Sequence, residues 1–268
     1  MLERYLRRCR IRRLFLVLPA LCFLQLPTLS GQDDGTRLIP LYALQVARKL
    51  NIPDDEQRLY GDLLRQNLAD KTGNQAQYVI LVDRNNFVQA EMLFWVSPDG
   101  QFHLIGASPV STGKPGRFDH FVTPTGVFEH TIDNPDFRAK GTVNENGIRG
   151  FGVKGMRVYD FGWQQATRGW GKGGESTMRL EMHATDPDRL ERKLGTPQSE
   201  GCVRIPATLN VFIDHYGILD GNYENAVLDG STFWVLPKKR EPTPWSGRFL
   251  VVVDTGRTAR PVWSPAPR

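Results

Sequence analysis

Cysteine is scarce in this sequence, and two of its three cysteines lie close to the N-terminus. In 268 residues, Cys9 and Cys22 fall within the first thirty, and Cys202 stands alone in the remainder. A single cysteine cannot form an internal disulfide, so the remainder is not a disulfide-stabilised domain. Cys202 is then a buried unreactive thiol, one half of an intermolecular bridge, or a nucleophile.

The chain also lacks a long hydrophobic run near its N-terminus. The run there, from Leu14 to Leu26, has thirteen residues and contains a proline and a glutamine, whereas spanning a bilayer takes about 20 apolar residues. Arginines precede this run and small or polar residues follow it, which is typical of a secretory signal peptide cut after Ser30. We therefore expect residues 1–30 to be a signal peptide and the protein to be exported to a bacterial periplasm. No stable membrane span is expected after cleavage.

Beyond the signal segment, the chain has no excess of charge of either sign. The formal net charge is +5, but residues 1–30 hold six of the 34 basic residues and one of the 29 acidic residues. The rest of the chain is formally neutral, which argues against a nucleic-acid partner. With 40% hydrophobic and 24% charged residues, the composition is that of an ordinary globular protein.

The order of hydrophobic patterns predicts a mainly β domain after a small helical segment. Apolar residues at helical spacing predict two helices over 38–50 and 54–71, within an N-terminal segment 33–75. From residue 78 onwards, short apolar runs alternate with turn residues, which predicts strands. The predicted strands are 78–82, 87–96 and 102–105, forming a meander, and 127–131.

The second half of the chain mixes irregular and regular patterns. Residues 141–177 contain many glycines and show little periodicity, which predicts a covering loop or a mobile excursion. Its two tryptophans, Trp163 and Trp170, either attach this loop to the core or line a substrate site. After it, the patterns predict a strand at 178–183, short helices at 186–195 and 206–216, and a strand at 232–236. That last strand ends a domain over 77–237. Residues 238–268 are predicted to be a loose extension with an added strand at 249–253.

A histidine and a cysteine stand in an arrangement that suits nucleophilic catalysis. His183 ends the predicted strand on its polar side, nineteen residues before Cys202. A thiol of ordinary pKa needs a base, and an imidazole can supply one. Gly201 permits a tight turn that brings amide groups close to a forming oxyanion. Arg204 adds positive charge that favours a thiolate, binds a substrate carboxylate, or simply holds the loop.

These residues resemble the signature of the L,D-transpeptidase (YkuD-type) catalytic domain family. The family has a histidine, a spacer of similar length, and Ser/Thr-His-Gly-Cys followed by an aliphatic residue and arginine. Here His183 precedes Ser199-Glu200-Gly201-Cys202-Val203-Arg204. Two Gly/Pro-containing loops, 111–116 and 123–128, are also similar to loops of the family and occur in the same order. The resemblance covers residues 77–237.

The resemblance implies a β-sandwich with short helices and a two-step reaction on peptidoglycan stem peptides. Cys202 would attack the bond between the diamino acid and terminal D-Ala, forming a thioester that an amine of a second stem, or of a wall-attached lipoprotein, resolves. His183 would be the base, oriented by a backbone carbonyl. Backbone N–H groups of Glu200, Gly201 and Cys202 would form the oxyanion hole, and Ser199 would support the loop. No cofactor is implied, and a zinc site would lack ligands beyond the cysteine and histidine.

Glu200 departs from the family pattern, which has a histidine at this position. A carboxylate beside the thiol would raise the thiol pKa and repel an anionic stem peptide unless Arg204 pairs with it, or it would recognise the amine of an acceptor. Three functions follow from the sequence: acyl transfer to an amine, hydrolysis by the same residues as a carboxypeptidase, endopeptidase or amidase, and catalytically silent wall binding. The first is our prediction.

Overall fold

The structure is a computed structural model that describes residues 35–69, 71 and 75–264. The predicted signal peptide, residues 1–30, lies outside these residues. Within them, no helix is both long and apolar enough to cross a membrane.

Two helices open the described chain, as the sequence predicts, but the first is shorter than expected. Helix α1 covers Leu38–Gln45 and helix α2 covers Asp54–Leu68. The first helix ends at Gln45 because Val46 takes up an extended backbone conformation, and the amide of Leu50 donates to the carbonyl of Ala107 instead of continuing the helix. The segment between the helices therefore runs along the sheet.

A five-stranded sheet forms one layer of the domain. Its strands are β1 (Gln77–Asp83), β2 (Ala90–Val96), β3 (Phe102–Pro109), β4 (Gly126–Glu129) and β9 (Phe249–Val253), in the order β3-β2-β1-β9-β4. The first three strands form the expected antiparallel meander, and β9 pairs in parallel with β1 and antiparallel with β4.

A four-stranded sheet forms the second layer. Its strands are β5 (Phe137–Arg138), β6 (Arg157–Thr167), β7 (Glu175–Ala184) and β8 (Val203–Ile205), in this order across the sheet. Neighbours β5, β6 and β7 are antiparallel, whereas β7 and β8 are parallel. Helix α3 (Ala207–Tyr216) follows β8, as predicted, and helix α4 (Gly221–Leu228) follows α3.

Apolar side chains on both faces of the five-stranded sheet are buried in two cores. Ile80 of β1 and Leu180 of β7 belong to the core between the sheets, which also buries the apolar face of α3. The next residue along β1, Leu81, belongs to a second core with Leu64 of α2 on the opposite face of the sheet. Because successive strand residues face opposite sides, a strand covered on both faces is apolar throughout. The mainly β, sandwich-like fold predicted from the sequence is confirmed.

Four local predictions were wrong. Of the short helix predicted over 186–195, the structure forms turns and a 3-10 helix at Glu191–Lys193. The stretch 141–177 is irregular only in part, since β6 occupies 157–167 and β7 begins at Glu175. Residues 232–236 form no strand; there Val235 offers its carbonyl to the guanidinium of Arg138 at 2.8 Å, a partner from a distant part of the chain. The run Phe249–Val253 is not an appended strand, because β9 lies between β1 and β4 with all five residues buried.

One fully buried arginine ties β6 to the loops around it. Arg157 Nε donates to Asp136 Oδ2 at 2.6 Å and Nη1 donates to Asp220 Oδ2 at 2.9 Å. The guanidinium also lies 5.0 Å from the ring centroids of Tyr159 and Tyr223. Burial lowers the pKa of Arg157, but the nearby carboxylates raise it by more, so this pKa lies well above its ordinary value. Removing one member of such a group leaves the others buried and unpaired.

Replacing this arginine should therefore weaken the fold strongly. We expect Arg157→Met to lower the free energy of unfolding by about 3–5 kcal/mol, because Asp136 and Asp220 lose their cation. Urea unfolding followed by circular dichroism measures the change. As a control, Arg65→Met breaks an ion pair with Asp62 in which both side chains are 58% exposed, and should cost less than about 1 kcal/mol. Equal losses for the two variants would contradict the prediction.

Candidate active site

The parallel pairing of β7 and β8 brings four chemically active side chains to one surface. His183 and Arg204 are register partners across the two strands. Glu181 lies two residues before His183, and Cys202 lies two residues before Arg204, so both fall on the same side by strand alternation. We refer to Glu181, His183, Cys202 and Arg204 as the β7–β8 face.

Cys202 is partly buried, and its sulfur is turned toward Glu181. The Sγ atom lies 3.8 Å from the carbonyl oxygen of Arg179 and 3.9 Å from Oε2 of Glu181. Burial and, after it, the charge of Glu181 raise the pKa of the Cys202 thiol to about 12, while Arg204 acts in the opposite direction. The thiol is protonated at neutral pH, and it needs a proton acceptor before it can attack a carbonyl.

His183 is buried at the end of β7 and neutral. Its Nδ1 donates to the carbonyl of Ala184 at 2.8 Å, and since a carbonyl only accepts, Nδ1 carries the proton and Nε2 is the free base. Burial, and after it the nearby Arg204, lower the pKa of His183 to about 3. The ring of Phe151 packs edge-on at a centroid distance of 4.7 Å. Among the described hydrogen bonds, none joins His183 to the sulfur of Cys202.

The loop before the cysteine is held by its own serine. The buried hydroxyl of Ser199 donates to the carbonyl of Cys202 at 2.6 Å and accepts from the amide of Gly201 at 3.1 Å. In the described chain, the amides of Glu200 and Cys202 have no such acceptor, which leaves them able to bind an oxyanion. Gly201 has a φ of 145°, a backbone conformation that strains other residues and therefore favours glycine.

Both Gly/Pro-containing loops that the sequence singled out lie against this cysteine loop. The amide of Lys114 donates to the carbonyl of Ser199, and the hydroxyl of Thr123 donates to the carbonyl of Gly201 at 2.6 Å. Gly113 joins the two loops to each other, since its amide donates to the Thr123 hydroxyl, and a Cβ at Gly113 would lie only 2.0 Å from a backbone oxygen. The position of the cysteine is thus set by three loops from different parts of the chain.

A cavity of about 430 Å³ opens beside Arg204, the residue through which the β7–β8 face contributes to its lining. Arg204 and the exposed side chain of Glu200 both line it. Arg204 Nη1 donates to the carbonyl of Gln198 at 3.3 Å, while its buried Nε has no partner among the described residues. The other basic residues of the lining are Arg117 and Lys193. The cavity is therefore largely cationic and suits a ligand with carboxylates.

The irregular half of the stretch 141–177 covers this cavity. Ile148 and Gly150 are part of its lining, and Phe151 packs on His183. The two tryptophans behave differently: Trp170 packs against Phe121 at a centroid distance of 4.9 Å, whereas Trp163 is 65% exposed.

Glu181, two residues before His183 on the same side of the strand, had no role in the prediction from the sequence. In the structure, its carboxylate is the acidic group beside the sulfur. Burial and, after it, the charge of Asp160 raise the pKa of Glu181 to about 7, with Arg179 opposing. The alternation of residues 178–183 was the signal that could have identified it. The described residues contain no group of three or more His, Cys, Asp or Glu side chains able to hold a metal.

Comparison with known proteins identifies the domain. The family model of the YkuD L,D-transpeptidase catalytic domain matches residues 77–216. A search of curated proteins finds no match.

The solved structures that are similar to the chain include two of one protein. One is the helical cell shape determining protein Pgp2 from Campylobacter jejuni, with 14% identity and a TM-score of 0.28, covering 74% of this chain and 56% of that one. The other is a point mutant of the same protein, with 12% identity and a TM-score of 0.26, covering 77% and 58%. The chain thus spans little more than half the length of Pgp2.

The geometry yields a prediction for Glu200, the residue that departs from the family pattern. Its charge raises the pKa of the Cys202 thiol, so Glu200→His and Glu200→Gln should both lower that pKa. The shift should be small because Glu200 is exposed and its charge is screened by solvent. Iodoacetamide alkylation rates measured across pH report the thiol pKa. A higher thiol pKa in either variant would contradict this electrostatic account.

Proposed function

Because the chain belongs to the YkuD family of L,D-transpeptidase catalytic domains, we propose that it is an exported enzyme that transfers peptidoglycan stem peptides through a thioester on Cys202. The observation that carries the proposal is the placement of Cys202 and His183 on one face of paired strands, next to a cationic cavity.

In the first step, Cys202 attacks the carbonyl between the diamino acid and the terminal D-Ala of a stem peptide. The negative charge that develops on the carbonyl oxygen is stabilised by the amides of Glu200 and Cys202. The amide of Gly201 donates to the hydroxyl of Ser199, so Gly201 contributes to the oxyanion hole through the backbone conformation of the loop and not through its own amide. Release of D-Ala leaves the thioester, and the buried neutral His183 is the base that the family resemblance assigns to this chemistry.

The cavity supports recognition of an anionic stem peptide. Arg204, Arg117 and Lys193 provide the positive charge that carboxylates of the stem require. Glu200 is the acidic member of the lining, and it suits the protonated amine of a second stem or of a wall-attached lipoprotein. This acidic position next to the thioester favours transfer to an amine over hydrolysis, which uses the same residues with water as acceptor.

A direct test uses purified protein and disaccharide-tetrapeptides as substrate. We expect wild type to release D-Ala and to form crosslinked dimers joined between diamino acids, detected by liquid chromatography and mass spectrometry. Cys202→Ala should abolish both products, because no thioester can form. Tripeptides without dimers would support the hydrolase instead. Unchanged products with Cys202→Ala would overturn the enzyme assignment.

Export is a separate part of the proposal, and it rests on the N-terminal sequence. In a bacterial host, we expect the protein in the periplasmic fraction, with a mature N-terminus at Gly31 by mass spectrometry. The double variant Leu16→Arg, Leu18→Arg interrupts the apolar run and should leave an uncleaved protein outside the periplasm. Periplasmic recovery of this variant, or an uncleaved wild-type chain, would contradict the prediction.

A further inference from the structure

The carboxylate of Glu181 is an active-site group to which neither the family pattern nor the proposed function gives a role. We propose that Glu181, and not the His183 that the family resemblance indicates, is the base that takes the proton of the Cys202 thiol as the thioester forms. The inference rests on the proposed function only in taking Cys202 as the nucleophile. It does not depend on which acyl donor or acceptor the enzyme uses.

The contacts of the sulfur carry the inference. Glu181 Oε2 lies 3.9 Å from Sγ, and the other acceptor near the sulfur, the carbonyl of Arg179, cannot take up a proton. His183 shares no hydrogen bond with Sγ in the described structure, and its ring is confined by the carbonyl of Ala184 and by Phe151. In the substrate-free protein, the contact of the sulfur that can take up its proton is therefore the carboxylate of Glu181.

The charges around Glu181 determine when it can accept a proton. Asp160 is its register partner on β6, and Arg179 Nε donates to Asp160 Oδ2 at 2.6 Å. Burial, Asp160 and the more distant Asp136 favour the protonated carboxyl, whereas Arg179 and the hydrogen bond from Cys202 favour the carboxylate. From the cysteine loop, the titratable group that contacts it is Cys202, and on its own strand His183 lies two residues along, on the same side of the sheet.

Basicity supports the geometric argument. The pKa of Glu181 is raised to about 7, and that of His183 is lowered to about 3. Glu181 is thus the stronger base of the two before substrate binds, and its pKa lies near neutral pH, where a general base is most effective.

The proposed step balances without an outside reagent. The S–H proton moves to the Glu181 carboxylate while Sγ forms a bond to the substrate carbonyl carbon. The tetrahedral intermediate then collapses, the C–N bond breaks, and the leaving amine takes the proton from the Glu181 carboxyl. In the second half, the acceptor amine attacks the thioester, its proton moves to the carboxylate, and the proton returns to Sγ as the C–S bond breaks.

The test uses acylation of Cys202 by p-nitrophenyl acetate, with release of p-nitrophenol followed from pH 5 to 9 and the rate of Cys202→Ala subtracted. In wild type, the rate should rise with pH as Glu181 loses its proton near pH 7. Glu181→Gln should remove this rise and slow acylation at pH 7.5 by about 100-fold. Glu181→Asp, which keeps a carboxylate, should retain part of the rate.

A second readout separates proton transfer from a structural effect. Glu181→Gln removes a charge that raises the thiol pKa, so iodoacetamide alkylation at alkaline pH should become faster while acylation at pH 7.5 becomes slower. Arg179→Gln removes a charge that lowers the pKa of Glu181, so the wild-type rise should move to higher pH. An electrostatic or structural role without proton transfer does not make acylation slower while alkylation becomes faster, and circular dichroism of each variant confirms folding.

Two outcomes would overturn the proposal. One is an acylation profile of Glu181→Gln that matches wild type. The other is loss of the rise near pH 7 in His183→Ala while Glu181→Gln retains it, which would assign the thiol proton to the histidine. The ester probe contains no peptidoglycan, so this result stands whether or not the stem-peptide substrate is correct.

Discussion

The parallel pairing of β7 with β8 is the contact on which the site depends. It extends over only three register pairs, with His183 opposite Arg204. A shift of one residue would send Cys202 and Arg204 to the opposite face of the sheet, away from Glu181 and His183. The register is supported from outside by residues 111–114, whose backbone binds Ser199 and Arg204. A short parallel pairing is thus held in place by loops that precede it by many residues.

Burial gives the site its chemical character. The same desolvation keeps His183 neutral, keeps the Cys202 thiol protonated and raises the pKa of Glu181 toward neutrality. A free thiolate would be costly in such an environment, so the proton has to leave as the new bond forms. Charged groups border these buried side chains. Arg204 lines the cavity, and the ion pair of Asp160 and Arg179 lies beside Glu181.

A second buried charge system supports the sheet that carries the site. Arg157 starts β6 and joins Asp136 and Asp220, while Asp136 also accepts from the amide of Asp160 at 3.0 Å. Asp160 in turn faces Glu181 across the register. Stability of the fold and the electrostatics of the site therefore share one chain of polar contacts, which runs along β6.

The sequence alone determined the family and the sandwich-like β fold, and it indicated the candidate cysteine and histidine, because these depend on local alternation and on a motif of contiguous residues. It did not determine the position of β9 in the sheet, the extent of β6, or the direction in which Cys202 points. Those depend on strands and loops that meet from distant parts of the chain, as Gly113 and Thr123 do at the cysteine loop. Only the tertiary structure brings the Glu181 carboxylate to the sulfur, since register between strands is set by packing rather than by either strand.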